Sequence, residues 1–192
     1  HVTGVQTCAL PISLNMFLAD IYHDQRIIKA GIIPADQVLG NEGYQKAMVG
    51  LDLHRDIYSH ISGVDLVRDG DGTYYVLEDN LRTPSGVSYM LEDRKMMMRL
   101  FPEVFAKQRI APVDHYPNLL LKTLKSASRL DNSNVVVLTP GRFNSAFFEH
   151  AFLAREMGVE LVEGADLFVH DLKVFMRTTD GRSEERRVGK EC

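Results

Sequence analysis

The clearest alternation of apolar and polar positions lies in the stretch ISGVDLVRDGDGTYYVLEDN, from Ile61 to Asn80. It predicts two strands, Ile61–Arg68 and Thr73–Asn80, joined by a turn at Asp69-Gly70-Asp71-Gly72. Asp-Gly between runs of Val, Leu and Tyr is a strong hairpin signal, because Gly accepts the positive φ of a primed turn. Upstream, apolar residues at 14, 17, 18, 21, 27 and 28 have helical spacing, which predicts a helix from Leu14 to Ala30 with Gly31 as its C-cap. A short helix or loop follows from Ile32 to Leu39, then turn signals at Gly40–Gly43. The pattern leaves open whether Met48–Tyr58 reaches the hairpin as a further strand.

Downstream, Val87–Phe105 reads as one helix, broken or ended near Pro102, with Tyr89, Met90, Met97 and Leu100 as its buried stripe and Glu92–Lys95 outside. The run Met96-Met97-Met98 could serve as an adaptable surface, but core packing is the default for it. His115-Tyr116-Pro117 introduces the amphipathic run LLLKTLKSASRL, with Pro in the first turn. The polar break Asp131–Asn134 is the expected subdomain boundary. Beyond it the order is strand Val135–Leu138, loop Thr139–Asn144, helix Ala146–Met157 capped by Asn144 or Ser145 and ended by Gly158, then strand Val159–Val162. That is a βαβ unit, expected to cross over right-handedly. Its loop could receive an anion at the helix N-terminus, although a structural turn is the default for Arg142, Asn144 and Ser145. Leu167–Val169 and Lys173–Arg177 form a last hairpin, expected to lack further partners.

The expected fold class is therefore α/β (α+β), a hairpin with helices followed by a partial Rossmann-like βαβ unit. There is no Gly-x-Gly-x-x-Gly, which argues against a dinucleotide site, and no Gly-x-Ser-x-Gly elbow or placed nucleophilic triad. His23, beside Asp24 in the first helix, reads as a surface or capping histidine rather than a base or metal ligand.

The hairpin carries the candidate chemistry. Glu78 and Asn80 share a face because side chains alternate along a strand. Either two-residue loop, Asp71-Gly72 or Gly70-Asp71, puts Asp65 on that face, whereas a three-residue loop would put it on the other. Two carboxylates and an amide oxygen, without His or Cys, form a hard-oxygen set suited to Mg²⁺. A merely solvated face is the competing explanation. Against it, Val76 falls on the same face and Leu77 on the reverse, so the strand reads as covered on both sides, where an unpaired carboxylate is costly. The next loop, Leu81-Arg82-Thr83-Pro84-Ser85-Gly86, could offer backbone N–H groups to an oxyanion, and Arg82 has the planar fork of donors for it.

Asp65, Glu78 thirteen residues later and Asn80 two beyond that, followed by a Pro/Gly loop, resemble the metal-binding end of the ATP-grasp ligases. The ordered segments YVLEDNLRTPSGVSYMLEDR, FPEVF, PVDHYP, VVVLTPGRFNSAFFEHAFLAREMGVELVEG and VFMRTT resemble the circularly permuted ATP-grasp proteins, from about residue 14 to 181. The resemblance implies an ATP- and Mg²⁺-dependent ligase joining a small-molecule or peptide carboxylate to an amine-type (or thiol) acceptor through an acyl phosphate. By the same resemblance, Asp65, Glu78 and Asn80 are the metal ligands, Leu77 packs against adenine, and Arg82 steadies the transferred phosphoryl group. In the permuted order, the strands with the nucleotide-gripping lysines would follow Gly181. The chain is thus expected to need the missing parts of its own parent and to be inactive alone. A non-catalytic ATP-grasp-like binding module and a metal-dependent phosphohydrolase are the alternatives.

The two ends fall outside that pattern. Val2–Ile12 and Arg182–Cys192 each resemble translated sequencing-adapter read-through, so the expected divisions are 1–12 artefact, 13–130 partial ATP-grasp region, 131–181 partial α/β unit and 182–192 artefact. Both cysteines, Cys8 and Cys192, lie in those ends, leaving a body without thiols that fits a reducing cytoplasm. Removing a tail with four Lys/Arg and three Asp/Glu takes the formal charge from −4 to −5. That mild acidity argues against nucleic acid as a partner. No apolar run is long enough to span a bilayer, so no membrane partner is expected.

Overall fold

The computed structural model describes residues 4–130, 133–171, 173–178 and 187–188, with side chains at 4–10 and 187–188 left aside. The chain forms two compact units, His1–Pro84 and Ser85–Cys192. The expected boundary residues Asp131 and Asn132, and most of the tail, lie outside the described residues.

In the first unit, α1 (Gly4–Tyr22) is followed by the short helices α2 (Arg26–Lys29) and α3 (Ala35–Leu39). The helix expected over Leu14–Ala30 is thus interrupted after Tyr22. Gln25 adopts a left-handed conformation (φ 53°), which ends the α-helical ladder. Asp20 then restarts it: its carboxylate accepts the backbone N–H groups of Arg26 and Ile27, both at 2.9 Å. The bond from Ile27 is the main reason that the Asp20 carboxyl titrates below its usual range. Gly31 does end α2, at φ 69°, with its N–H on Ile28 O at 2.9 Å and Ile32 N–H on Ile27 O at 3.1 Å. That pair of bonds is a Schellman motif. Met48–Tyr58 is not a strand; it contains the 3₁₀ turns Lys46–Met48 (in part) and His54–Asp56. Ile21 and Tyr22 are buried here, and Tyr22 stacks between Tyr44 (5.0 Å) and Tyr58 (5.8 Å).

The hairpin consists of β1 (Gly63–Arg68) and β2 (Tyr74–Asn80), paired antiparallel. In the second unit, α4 (Val87–Leu100) and α5 (Pro102–Lys107) divide the expected single helix at Phe101, directly before Pro102. α6 (Tyr116–Ser126) has Pro117 in its first turn, as its sequence requires. β3 (Val136–Leu138) and β4 (Glu160–Val162) pair in parallel, and α7 (Phe147–Met157) joins them and packs on both. The N-cap of α7 is Ala146, not Asn144 or Ser145, although Asn144 Oδ1 accepts the Ala146 N–H at 2.9 Å. Gly158 ends that helix at φ 68°.

β5 (Leu167–His170) and β6 (Lys173–Met176) form the last hairpin. It does have a further partner: β7 (Arg187–Val188) pairs antiparallel with β6. The core of this unit comprises Leu91, Phe152, Ala154, Met157, Val162, Phe175 and Met176.

The stripe expected on α4 is not buried. Tyr89, Met90, Met97 and Leu100 are all exposed, while Leu91 and Ser88 face inward. Ser88 is inward because a remote acid holds it. The buried Glu149 of α7 accepts the Gly86 N–H (2.7 Å), the Ser88 N–H (3.2 Å) and the Ser88 hydroxyl (2.6 Å), and so caps α4 in trans. Burial, and then the charge of Glu149, raise the pKa of Tyr116.

The folded pKa of Asp20 is depressed, so its contribution is complete above the unfolded value near 3.8 and disappears as pH falls through the folded pKa. NMR should show the Ile27 amide signal moving over that acid range, and Asp20→Asn should abolish the movement. Glu149→Gln turns a donor toward the Gly86 and Ser88 donors and should cost about 2–3 kcal/mol in denaturant unfolding. The Tyr116 phenol should titrate at lower pH in that variant, as read by its ultraviolet absorbance.

Candidate metal-binding hairpin

The turn between β1 and β2 is a three-residue loop, Gly70-Asp71-Gly72, rather than either two-residue form. Asp69 N–H bonds Thr73 O at 2.8 Å, Gly72 N–H bonds Asp69 O at 2.9 Å, and Gly72 takes φ 88°. Asp71 tightens the loop by accepting the Thr73 N–H at 2.8 Å, the first cause of its lowered carboxyl pKa.

A three-residue loop alone would send Asp65 to the face opposite Glu78. The strand corrects this with a β-bulge. Arg68, Val67 and Leu66 pair with Tyr74, Tyr75 and Val76; the register then slips by one, so that Asp65 faces Glu78, Val64 faces Asp79 and Gly63 faces Asn80. Leu77 is the extra residue. Asp65, Glu78 and Asn80 therefore lie on one face, and Asn80 Nδ2 reaches Glu78 Oε1 at 3.3 Å. Directly opposed residues bring their Cβ atoms to about 5 Å.

The same slip corrects the expected company of these groups. Val76 pairs with Leu66, so it belongs to the reverse face, and Val67 and Tyr75 share the face of Asp65. Nor is the ribbon covered on both sides: Asp65 and Glu78 are exposed, as are Leu66, Val67, Tyr74, Tyr75 and Leu77. Burial therefore gives these two carboxylates no need of a cation. What remains is the donor set itself, two carboxylates and an amide that can turn its oxygen, which fits a hard divalent cation. Among the described residues no group of three or more His, Cys, Asp and Glu is placed to hold a metal ion.

Leu77 is 70% exposed, as a bulge residue pushed out of the ladder. Arg82 is also exposed, two residues beyond Asn80. The chain around Arg82 is held from two sides. Pro84 lies so close over Gly63 that a Cβ there would stand 2.8 Å from the Pro84 Cβ. Ser59 Oγ lies 3.3 Å from Leu81 O and 3.1 Å from Ile61 O. On the reverse face, the Asp79 carboxylate meets the Ser62 hydroxyl through Oδ1 at 3.4 Å, while its Oδ2 is buried with no hydrogen-bond partner among the described residues.

Gly63, Ser59 and Pro84 escaped the sequence pattern because each acts through a neighbour distant in sequence. The only local hint is a glycine opening an otherwise alternating strand.

A profile of the circularly permuted ATP-grasp family matches residues 6–190. The chain belongs to that family. It is 53% identical over 171 residues to an uncharacterized protein of Synechocystis sp., covering 88% of this chain and 36% of that protein. An uncharacterized protein of Mycobacterium tuberculosis is 49% identical over 178 residues, covering 92% of this chain and 32% of its own length. A Frankia casuarinae protein named "Putative glutamate--cysteine ligase 2-2" is 40% identical over 174 residues, covering 88% of this chain and 20% of its own. The chain thus spans about a third of the length of the first two curated relatives. No helix among the described residues is long and apolar enough to cross a membrane.

Gly63→Ala should force Pro84 and the Leu81–Pro84 backbone away from the hairpin. A loss of about 1–3 kcal/mol in denaturant unfolding is expected for such overpacking, with chemical-shift changes centred on Leu81–Pro84.

Proposed function

We propose that this chain supplies the metal-binding hairpin of an ATP-dependent ligase that joins a carboxylate to an amine or a thiol. One observation carries the reading: the bulge at Leu77 puts Asp65, Glu78 and Asn80 on one face of a two-stranded ribbon, with both carboxylates exposed. Membership of the circularly permuted ATP-grasp family supports the same chemistry, as does the name of the Frankia relative.

In this reading Asp65 and Glu78 would hold Mg²⁺ through carboxylate oxygens, and Asn80 would add its amide oxygen by turning from its bond to Glu78. When bound, the cation offsets phosphate charge and orients the triphosphate of ATP. Leu77, displaced outward by the bulge, offers an apolar surface for adenine. Arg82 offers paired donors to a phosphoryl or acyl phosphate oxygen. In the overall reaction, a carboxylate oxygen bonds to the γ-phosphorus as ADP leaves. The amine or thiol then attacks the acyl carbon, inorganic phosphate departs, and the attacking group gives up a proton.

Because the chain spans about a third of its first two curated relatives, turnover is assigned to a longer parent protein. By itself the chain should bind Mg·ATP weakly and leave it intact.

Isothermal titration with Mg·ATP, together with Mn²⁺ titration followed by electron paramagnetic resonance, tests this reading. Weak Mn²⁺ binding should drop at least about tenfold in Asp65→Asn and in Glu78→Gln. Sub-millimolar Mg·ATP affinity that survives Glu78→Ala would overturn it. In a full-length relative, phosphate release that does not depend on an amine or thiol would point instead to a phosphohydrolase.

A further inference from the structure

We infer that Asn15 and Ser59 are positioning residues that set the course of the chain between Asn80 and Arg82. The inference rests on the reading of those two residues given above. Asn15 lies within α1, where its carboxamide has little to gain from the helix alone. Its Oδ1 accepts two consecutive backbone N–H groups, from Tyr58 at 2.8 Å and Ser59 at 2.9 Å. Its Nδ2 donates to Ser59 O at 3.1 Å and to Pro11 O at 3.0 Å. All four hydrogen-bonding capacities of the amide are thereby used. In effect the side chain gives residues 58 and 59 the partner that a neighbouring strand would give.

Ser59, fixed on both its N–H and its C=O, presents its hydroxyl to the two ends of the hairpin. One acceptor, Ile61 O, lies on the lead into β1; the other, Leu81 O, lies just past β2. The single hydroxyl proton serves either carbonyl, so Ser59 ties them to one point. Leu81 separates Asn80 from Arg82, and Pro84 closes over Gly63 three residues on. A helix residue far from the ribbon in sequence thus limits where the amide ligand and the arginine can stand. Supporting groups of this kind orient ligands, and their loss commonly costs about 10–100-fold in metal affinity.

The test uses Ser59→Ala, Ser59→Thr and Asn15→Asp. Asn15→Asp keeps both accepted bonds and loses both donated ones. Two readouts are needed: the carbonyl ¹³C shift of Leu81, which reports its hydrogen bond, and Mn²⁺ affinity by electron paramagnetic resonance. Ser59→Ala should move the Leu81 shift and weaken Mn²⁺ about tenfold, with an unchanged far-ultraviolet circular dichroism spectrum. Asn15→Asp should do the same in part, and Ser59→Thr should restore both. An unmoved Leu81 shift in Ser59→Ala overturns the inference; so does a moved shift with Mn²⁺ affinity intact. If the unaltered chain binds no Mn²⁺, the metal reading falls, and the Leu81 shift alone decides whether Ser59 positions this segment.

Discussion

The extra residue in β2 is the constraint on which the candidate site depends. A three-residue turn and an unbroken ladder would leave Asp65 on the far side of the ribbon from Glu78. The bulge at Leu77 moves the pairing by one place and brings the two acids opposite each other. One residue thereby performs two tasks: it resets the register, and it is itself expelled from the ladder into solvent. A bulge also raises local twist, which suits a place where side chains must be re-aimed rather than simply stacked.

Within each unit the polar anchors follow one principle. A single side chain from a distant helix satisfies backbone groups in a connecting segment or at a helix start. Asn15 does so for residues 58 and 59 in the first unit, and Glu149 does so for Gly86 and Ser88 in the second. Buried or half-buried backbone N–H groups must find acceptors. Where the chain turns and no strand or helix ladder is at hand, a carboxylate or amide brought in from elsewhere is the remaining solution. Such anchors fix loops without a large apolar core, which the first unit lacks beyond Ile21 and Tyr22 among its described residues.

Apolar surface is distributed unevenly. The ribbon exposes Leu66, Val67, Tyr74, Tyr75 and Leu77, and α4 exposes Met90, Met96, Met97, Met98 and Leu100. The helical spacing on α4 is real, but periodicity identifies an apolar face without showing that anything covers it. The same holds for the alternation in β2, which reads as covered on both sides although Tyr74, Tyr75, Leu77 and Glu78 are exposed.

Sequence by itself determined the local elements and the chemical inventory. The hairpin, the Pro-led α6, the glycine stops at Gly31 and Gly158, and the parallel strands joined by α7 were legible because each follows from turn chemistry or short-range periodicity. The family was legible too, from the order of motifs after Asp65. Tertiary structure alone decided the loop length and the bulge, since a two-residue and a three-residue turn at Asp-Gly-Asp-Gly differ by less than any local rule resolves. It also decided where α1 ends, through the Asp20 carboxylate and a left-handed Gln25, and which helix face is inward, through Glu149 gripping Ser88. In each case the deciding partner is brought close by the fold, either across a turn or from a distant part of the chain, and a pattern read along the sequence carries no information about such a partner.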